Sequence, residues 1–212
     1  MKIKTKLNKM ALATSIVVAG LTTSNMVLAQ TCSGVLITSD CQDLSYSGPG
    51  GPTSNITISS PATVTASRFG YSVSFGDGTN NPNLNAFTNN GTISGVLGLV
   101  VNNAATVGTL TNNGLIIPYY NSVQNNGTIG AFINSGTISP GGYNDGVLNN
   151  SVITTLTNTG TINSSGGYSG INNGGTITTL NNGQGGIIHW YIQVRSPPIT
   201  TLSLTAPRIM AS

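Results

Sequence analysis

A seven-residue unit, apolar-x-Asn-x-Gly-x-Ile, recurs between positions 87 and 188 and constrains the fold of this chain more than any other feature. Weaker copies are centred on Asn103, Asn150 and Asn182. Such an array indicates a solenoid, in which each repeat packs mainly on its two neighbours. The clear copies place Asn and Gly two residues apart, at Asn89 and Gly91, Asn112 and Gly114, Asn125 and Gly127, Asn134 and Gly136, Asn158 and Gly160, and Asn173 and Gly175.

The spacing of the motif asparagines predicts the size of one coil. Long and short gaps alternate, so that every second asparagine recurs after 22 to 25 residues. We therefore predict an all-β fold, a right-handed parallel β-helix with two short strands in each coil of 22–25 residues. An α-helical array is disfavoured, because Gly, Asn and Thr are abundant and no apolar stripe of helical period is present.

The order of residues within the unit predicts which side chains face inward. Alternate residues of an extended chain share a face, so the apolar residue, Asn, Gly and Ile should point into the coil. The intervening threonines should then point outward. Asn and Gly are expected to form corners, because both accept backbone conformations that other residues avoid. Stacked asparagines could hydrogen-bond one another in a ladder.

Residues 1–29 have the pattern of a secretory signal peptide, with four lysines, a short apolar stretch and a small-residue cleavage site ending at Ala29. All lysines of the chain lie in this segment, and the remainder carries three arginines against four aspartates. The basic pI therefore gives no reason to expect nucleic acid as a partner. No later stretch is long and apolar enough to predict a membrane span in the mature chain.

Cys32 and Cys41 follow directly after the predicted cleavage site. In an exported chain they predict a disulfide, with two free thiols as the alternative. Residues 30–86 are interpreted as a cap pinned by this disulfide, followed by one or two irregular coils. Residues 87–188 are the β-helix array, in which roughly four coils can be recognised.

Residues 189–212 contain no Asn and no Gly, although both are abundant just before them. This atypical tail has two interpretations: a C-terminal segment of different structure, or the result of a truncation or frameshift near Ile188. We favour the second, because the composition changes inside a repeat copy. Repeats or a barrel-type sequence in another reading frame beyond codon 188 would support a frameshift.

The Asn-Gly-Thr-Ile strings at 90–93 and 126–129, with related strings ending at Ile138, Ile162 and Ile177, resemble the passenger region of bacterial autotransporters. The signal peptide and the N-terminal cysteine pair add to this resemblance, which covers about half of the chain. It implies export, followed by translocation through a C-terminal outer-membrane β-barrel. That translocator is an expected partner but is absent from this sequence, since too little chain follows the array.

Ionisable residues are nearly absent from the array. Asp145 is its single acidic residue, and it contains no His, Lys, Arg, Glu or Cys. Acid–base catalysis needs a group with a tunable pKa and usually a second group that orients it. The other candidates, Asp40, Asp43, Asp77 and His189, are scattered outside the array. We therefore expect no enzyme, no catalytic residue, no metal site and no cofactor.

Two function classes follow from these observations. The favoured class is an exported passenger in the periplasm, at the outer membrane or cell surface, or outside the cell. It would have a structural or adhesive role and bind an unidentified surface or host glycan or protein through its Thr- and Asn-lined faces. The alternative is a functional-amyloid or biofilm-matrix subunit with stacked amide ladders. A polysaccharide-active β-helix enzyme is a third, less favoured class.

Overall fold

The structure, a computed structural model, describes residues 32, 35–47, 54–77, 82–189, 192–195, 199–204 and 208–210. The predicted signal peptide lies outside the described residues. Short strands follow one another along the chain. The N-terminal part contains β1 (Leu36–Ile37), β2 (Cys41–Gln42), β3 (Leu44–Tyr46), β4 (Asn55–Ile58), β5 (Thr63–Thr65), β6 (Tyr71–Phe75), β7 (Asn83–Asn89), β8 (Thr92–Ile93), β9 (Leu97–Val101), β10 (Thr106–Asn112), β11 (Leu115–Ile116) and β12 (Val123–Asn125). The C-terminal part contains β13 (Thr128–Asn134), β14 (Thr137–Ile138), β15 (Val147–Asn149), β16 (Val152–Asn158), β17 (Thr161–Ile162), β18 (Ile171–Asn173), β19 (Thr176–Asn182), β20 (Ile187–His189), β21 (Ile192–Val194), β22 (Thr201–Leu204) and β23 (Arg208–Met210).

Every third strand belongs to the same parallel sheet. Sheet I has the order β1-β4-β7-β10-β13-β16-β19-β22, and sheet II has the order β2-β5-β8-β11-β14-β17-β20-β23. Sheet III runs in space as β21-β18-β15-β12-β9-β6-β3. One strand from each sheet makes one coil, and the coils stack in register. This arrangement confirms the predicted all-β parallel solenoid.

Each coil has three strands, so the expected number of two is wrong. The repeat unit marks only two of the three corners: the one between sheets I and II, as in β7 to β8, and the one between sheets III and I, as in β12 to β13. The third corner, between sheets II and III, is formed by loops that do not repeat in sequence. Because the sequence of this corner does not recur, the repeat pattern does not reveal it. Each coil nevertheless needs this third corner to close.

The core consists of three apolar columns, one for each sheet. In sheet I, Leu110 pairs with Phe87 on one side and Phe132 on the other. Ile116 has the same place in sheet II, between Ile93 and Ile138. In sheet III, Val123 pairs with Leu99 and Val147. All these side chains are fully buried, and each such burial contributes about 1.5–3 kcal/mol. The predicted outward threonines are half-buried, at Thr92, Thr128, Thr137, Thr161 and Thr176.

The sheets extend beyond the regular array at both ends. Strands β1 to β6 form two coils below it, and β4 pairs in register with β7. Strands β21, β22 and β23 pair with β18, β19 and β20, so part of the atypical tail continues all three sheets. A frameshift near Ile188 stays a prediction.

No helix in the described part of the chain has the length and apolar character required to cross a membrane.

Candidate functional site

An asparagine ladder runs along the corner between sheets I and II. Nδ2 of each asparagine donates to Oδ1 of the next at 2.8 Å, and each is fully buried. Nδ2 also donates to a main-chain oxygen of the next coil, as from Asn134 to Thr161 at 3.2 Å. The side-chain amides therefore satisfy one another inside the solenoid, as the repeats predict. The ladder consists of Asn89, Asn112, Asn134, Asn158 and Asn182.

A second ladder occupies the corner between sheets III and I. Asn125 donates to Asn149 at 2.8 Å, and Asn149 donates to Asn173 at 2.7 Å. Asn149 is fully buried and belongs to this ladder. The repeat pattern instead predicts Asn150 as the motif residue of that copy. Asn150 is exposed.

The copy centred on Asn103 is also displaced. Val101, not an asparagine, pairs with Asn125, and Asn103 is exposed. The second ladder therefore begins one coil later than the repeat count indicates. Where two asparagines are adjacent, only the pairing register distinguishes the inward residue from the outward one.

The corner glycines are required by close approach of the coils. None of the six clear-copy glycines has a positive φ, which corrects the expectation that they serve unusual backbone conformations. A Cβ atom added to Gly136 would overlap the carbonyl oxygen of Gly114, and one added to Gly160 would overlap that of Gly136. Gly91, Gly114, Gly127 and Gly175 are equally confined by main-chain oxygens.

The third corner carries exposed aromatic side chains. Its loops comprise residues 66–70, 94–96, 117–122, 139–146 and 163–170. We call the aromatic residues of these loops the aromatic edge. Loops on a rigid scaffold are where binding residues concentrate. The members, with their exposed fractions, are Phe69 (85%), Tyr119 (57%), Tyr120 (43%), Tyr143 (73%) and Tyr168 (46%).

Glycines in the following coil leave room for two rings of this edge, those of Tyr119 and Tyr143. The ring of Tyr119 lies 3.2 Å from the position that a Cβ atom would take at Gly142. The ring of Tyr143 occupies the corresponding space at Gly166. Tyr119 and Tyr120 pack edge to face with ring centroids 4.9 Å apart. The rings of Tyr119 and Tyr143 therefore pack against the following coil and still remain largely exposed.

A polar cleft of about 180 Å³ lies at the C-terminal end of the aromatic edge. It is lined by Asp145, Gly167, Tyr168, Ser169, Asn172, Gln193 and Arg195. The Asp145 side chain is only 5% exposed. Its Oδ1 accepts from the Ser169 N–H at 2.9 Å, and its Oδ2 accepts from Asn172 Nδ2 at 2.9 Å. Sequence reasoning treated Asp145 as an isolated acid, because only the stacking of coils brings Arg195 into the same cleft.

Three scattered aspartates have a common structural role. Asp40 accepts from the Thr63 N–H at 2.8 Å, and Asp43 accepts from the Ser67 N–H at 2.8 Å. In both cases, as with Asp145, the donor lies in the following coil. These carboxylates therefore join neighbouring coils and are not gathered at one site.

Cys32 and Cys41 form a disulfide, with Cα atoms 5.0 Å apart. Both residues are buried, and the Cys32 N–H donates to the Gln42 oxygen at 2.7 Å. The bond therefore fixes the chain against the first coil.

No three His, Cys, Asp or Glu side chains of the described residues are grouped so that they could hold a metal ion. His189 lies half-buried at the end of β20.

Comparison of this chain with protein-family models, with curated proteins and with solved structures gives no match. Function must therefore be inferred from the geometry of the molecule itself.

Proposed function

We propose that this protein is an exported, non-enzymatic β-solenoid with an adhesive role, and that the aromatic edge is its binding surface. The observation that supports this most directly is the alignment of exposed tyrosines along a single corner. A tyrosine ring offers a flat apolar face and a hydroxyl group, a combination enriched at the energetic centres of binding surfaces. The proposed binding surface is thus the aromatic edge at the third corner, rather than the Thr- and Asn-lined faces that the sequence predicts.

The rest of the coil supports a role as a scaffold. The interior is filled by apolar columns and by asparagines that hydrogen-bond one another. A binding surface works best when rigid elements hold its side chains in place. The repeated frame would position the tyrosines at intervals set by the spacing of coils, about 4.8 Å per coil.

Export is inferred from the sequence and agrees with the disulfide. The first 29 residues resemble a secretory signal, and a structural disulfide suits an oxidising compartment outside the cytoplasm. The Asn-Gly-Thr-Ile strings favour an autotransporter-like passenger at the outer membrane or cell surface. Its expected partner is an outer-membrane translocator barrel, and a search for one encoded immediately downstream would test this origin.

Adhesion can be tested by coating beads with the mature chain and counting the cells they retain. Replacing Tyr119, Tyr120 and Tyr143 by Ala should reduce retention by about tenfold or more, because aromatic anchors dominate such contacts. The matched control replaces exposed apolar residues of sheets I and II, Leu115, Ile133 and Val152, by Ser. Equal retention by the two triple variants would contradict the proposal.

A structural role in an amyloid-like matrix is the second candidate. The buried, in-register asparagine ladders favour it, since amide ladders also stabilise cross-β fibres. Purified protein that grows into thioflavin-binding fibres with a reflection near 4.7 Å would support this role. A soluble monomer with β-rich circular dichroism would favour the adhesive solenoid.

A further inference from the structure

We propose that the cleft lined by Asp145, Tyr168, Asn172, Gln193 and Arg195 binds one neutral sugar unit of a glycan. This inference rests on the adhesive function proposed above and names the chemistry of its ligand. The lining combines a carboxylate, a guanidinium, two side-chain amides and an aromatic ring. Adjacent sugar hydroxyls match this set, because each can donate to the carboxylate and accept from the guanidinium or an amide.

Asp145 lines the cleft and retains hydrogen-bonding capacity. A carboxylate can accept about four hydrogen bonds, and Asp145 accepts from Ser169 and Asn172. These two contacts hold the carboxylate in one orientation. A hydroxyl group that enters the cleft would therefore meet an acceptor that is already positioned and largely shielded from water.

Ser169 contributes a buried hydroxyl group to the lining of the cleft. It lines the cleft and is only 1% exposed, and its Oγ has no hydrogen-bond partner among the described residues. A buried hydroxyl normally finds a partner, so an unpaired one needs an explanation. The Ser122 Oγ, which lies outside the lining of the cleft, is unpaired in the same way, so the Ser169 hydroxyl does not by itself indicate a ligand.

The size and surroundings of the cleft determine how much of a glycan it holds. A volume of about 180 Å³ is well below the range of about 300–1,000 Å³ for drug-sized ligands, so one sugar unit fits better than several. The half-exposed ring of Tyr168 provides a surface for the apolar face of that sugar. Tyr143 packs on Gly166, next to Gly167 of the cleft, so further units would follow the aromatic edge.

A neutral sugar suits the charges of the cleft better than an acidic one. Asp145 and Arg195 contribute opposite charges, and the nearly buried carboxylate would repel a uronate. A purely structural role for Asp145 is the competing explanation. Asp43 allows this role to be tested, because it also accepts from a backbone N–H 24 residues further along the chain.

The test uses the mature chain and measures binding of the methyl glycosides of glucose, galactose and mannose by titration calorimetry and saturation-transfer NMR. The wild type should bind at least one of them more tightly than methyl glucuronide. Asp145→Asn and Arg195→Gln should each weaken that binding by about tenfold or more, since each removes a charged hydrogen-bonding partner. Asp43→Asn should bind as the wild type does.

Two further measurements keep the test decisive if Asp145→Asn unfolds. Gln193→Ala changes a side chain of the cleft without touching the contact between Asp145 and Ser169, and it should also weaken binding. Tyr168→Phe should bind the neutral glycoside, while Tyr168→Ala should not.

Failure of the wild type to bind any neutral glycoside, or equal losses in Asp43→Asn and Asp145→Asn, would overturn the proposal. Sugar binding by a protein that retains no cells would instead overturn the adhesive function and leave the cleft proposal standing.

Discussion

Single buried asparagines set the register of this solenoid. Asn134 is the central example: Asn112 donates to its Oδ1, and its own Nδ2 donates to Asn158, both at 2.8 Å. A coil that slipped by one residue would turn these amides outward and bury their neighbours instead. The ladder therefore penalises wrong pairings as well as stabilising the right one.

Replacing Asn134 by Ala should destabilise the fold, because it leaves the Nδ2 of Asn112 and the Oδ1 of Asn158 without their ladder partners. The Oδ1 of Asn158 then becomes an unsatisfied buried acceptor, which costs about 1–3 kcal/mol, whereas the Nδ2 of Asn112 keeps its contacts with the oxygens of Gly114 and Thr137. Urea unfolding would measure the loss. Asn113→Ala is the matched control, since the exposed Asn113 donates to Asn90 on the outside of the same corner. An equal loss in both variants would contradict a special role for the buried ladder.

Tyr71 shows how partial burial affects an ionisable side chain. Its hydroxyl donates to Gln124 Oε1 at 3.0 Å, two coils further along. Burial raises the pKa of the Tyr71 hydroxyl, because the charged phenolate would lose hydration. The folded state thus holds this proton at a pH where the unfolded chain releases it.

Folding stability should fall as the pH rises above about 10, the ordinary tyrosine pKa. The contribution of Tyr71 is fully present below that pH and is lost as the pH rises towards its higher folded-state pKa. Tyr71→Phe should reduce this dependence, as shown by urea midpoints at about pH 9 and about pH 11. Tyr143→Phe, which changes an exposed side chain, is the control and should retain the slope of the wild type.

At the scale of strands and corners, adjacent residues have opposite roles. In β13, Phe132 is fully buried between Leu110 and Leu156, while its neighbour Ile133 is 39% exposed. The repeat unit predicts this alternation correctly from its first and last apolar positions. Chain geometry alone determines it, because successive side chains of a strand point to opposite faces.

Phe132→Ala should cost about 3–5 kcal/mol, because it removes a large side chain from a column that cannot collapse without disturbing two coils. Ile133→Ala, one residue away, should change the free energy of unfolding by less than about 1 kcal/mol. Chemical denaturation of both variants measures the difference. Comparable losses would mean that the inward and outward assignments are wrong.

The corners provide a second example of neighbouring residues with opposite roles, Gly174 and Gly175. A Cβ atom added at Gly175 would overlap the Ser151 oxygen, whereas the nearest atom to one added at Gly174 lies 3.7 Å away. Gly175→Ala should therefore destabilise by about 1–3 kcal/mol through overpacking. Gly174→Ala should be nearly neutral. Thermal unfolding would compare them, and a stable Gly175→Ala protein would show that the coils can separate at this corner.

At the scale of the whole molecule, the stack is nearly one-dimensional. Each coil contacts mainly the coils before and after it, so a local change should have local consequences. The disulfide between Cys32 and Cys41 lies at the N-terminal end of the described stack. It should stabilise the first coil more than the central ladders.

The double variant with Cys32→Ser and Cys41→Ser should lose about 2–4 kcal/mol of local stability. Hydrogen exchange read by peptide should accelerate in β1 to β3. The amides of β10, β13 and β16 should exchange as in the wild type, because several coils separate them from the disulfide. Faster exchange throughout the stack would instead indicate that the whole solenoid opens as one cooperative unit.

The repeat unit by itself determined the parallel stack, the length of a coil, and the inward placement of its apolar residues, Asn and Ile. These properties depend on local alternation and on a period that any coil must share with its neighbours. Only the tertiary structure decided that each coil has three strands, that Asn149 rather than Asn150 joins the ladder, and that Asp145 shares a cleft with Arg195. Pairing register and the path of non-repeating loops fix these features, because they join residues of different coils and leave no periodic pattern in the sequence.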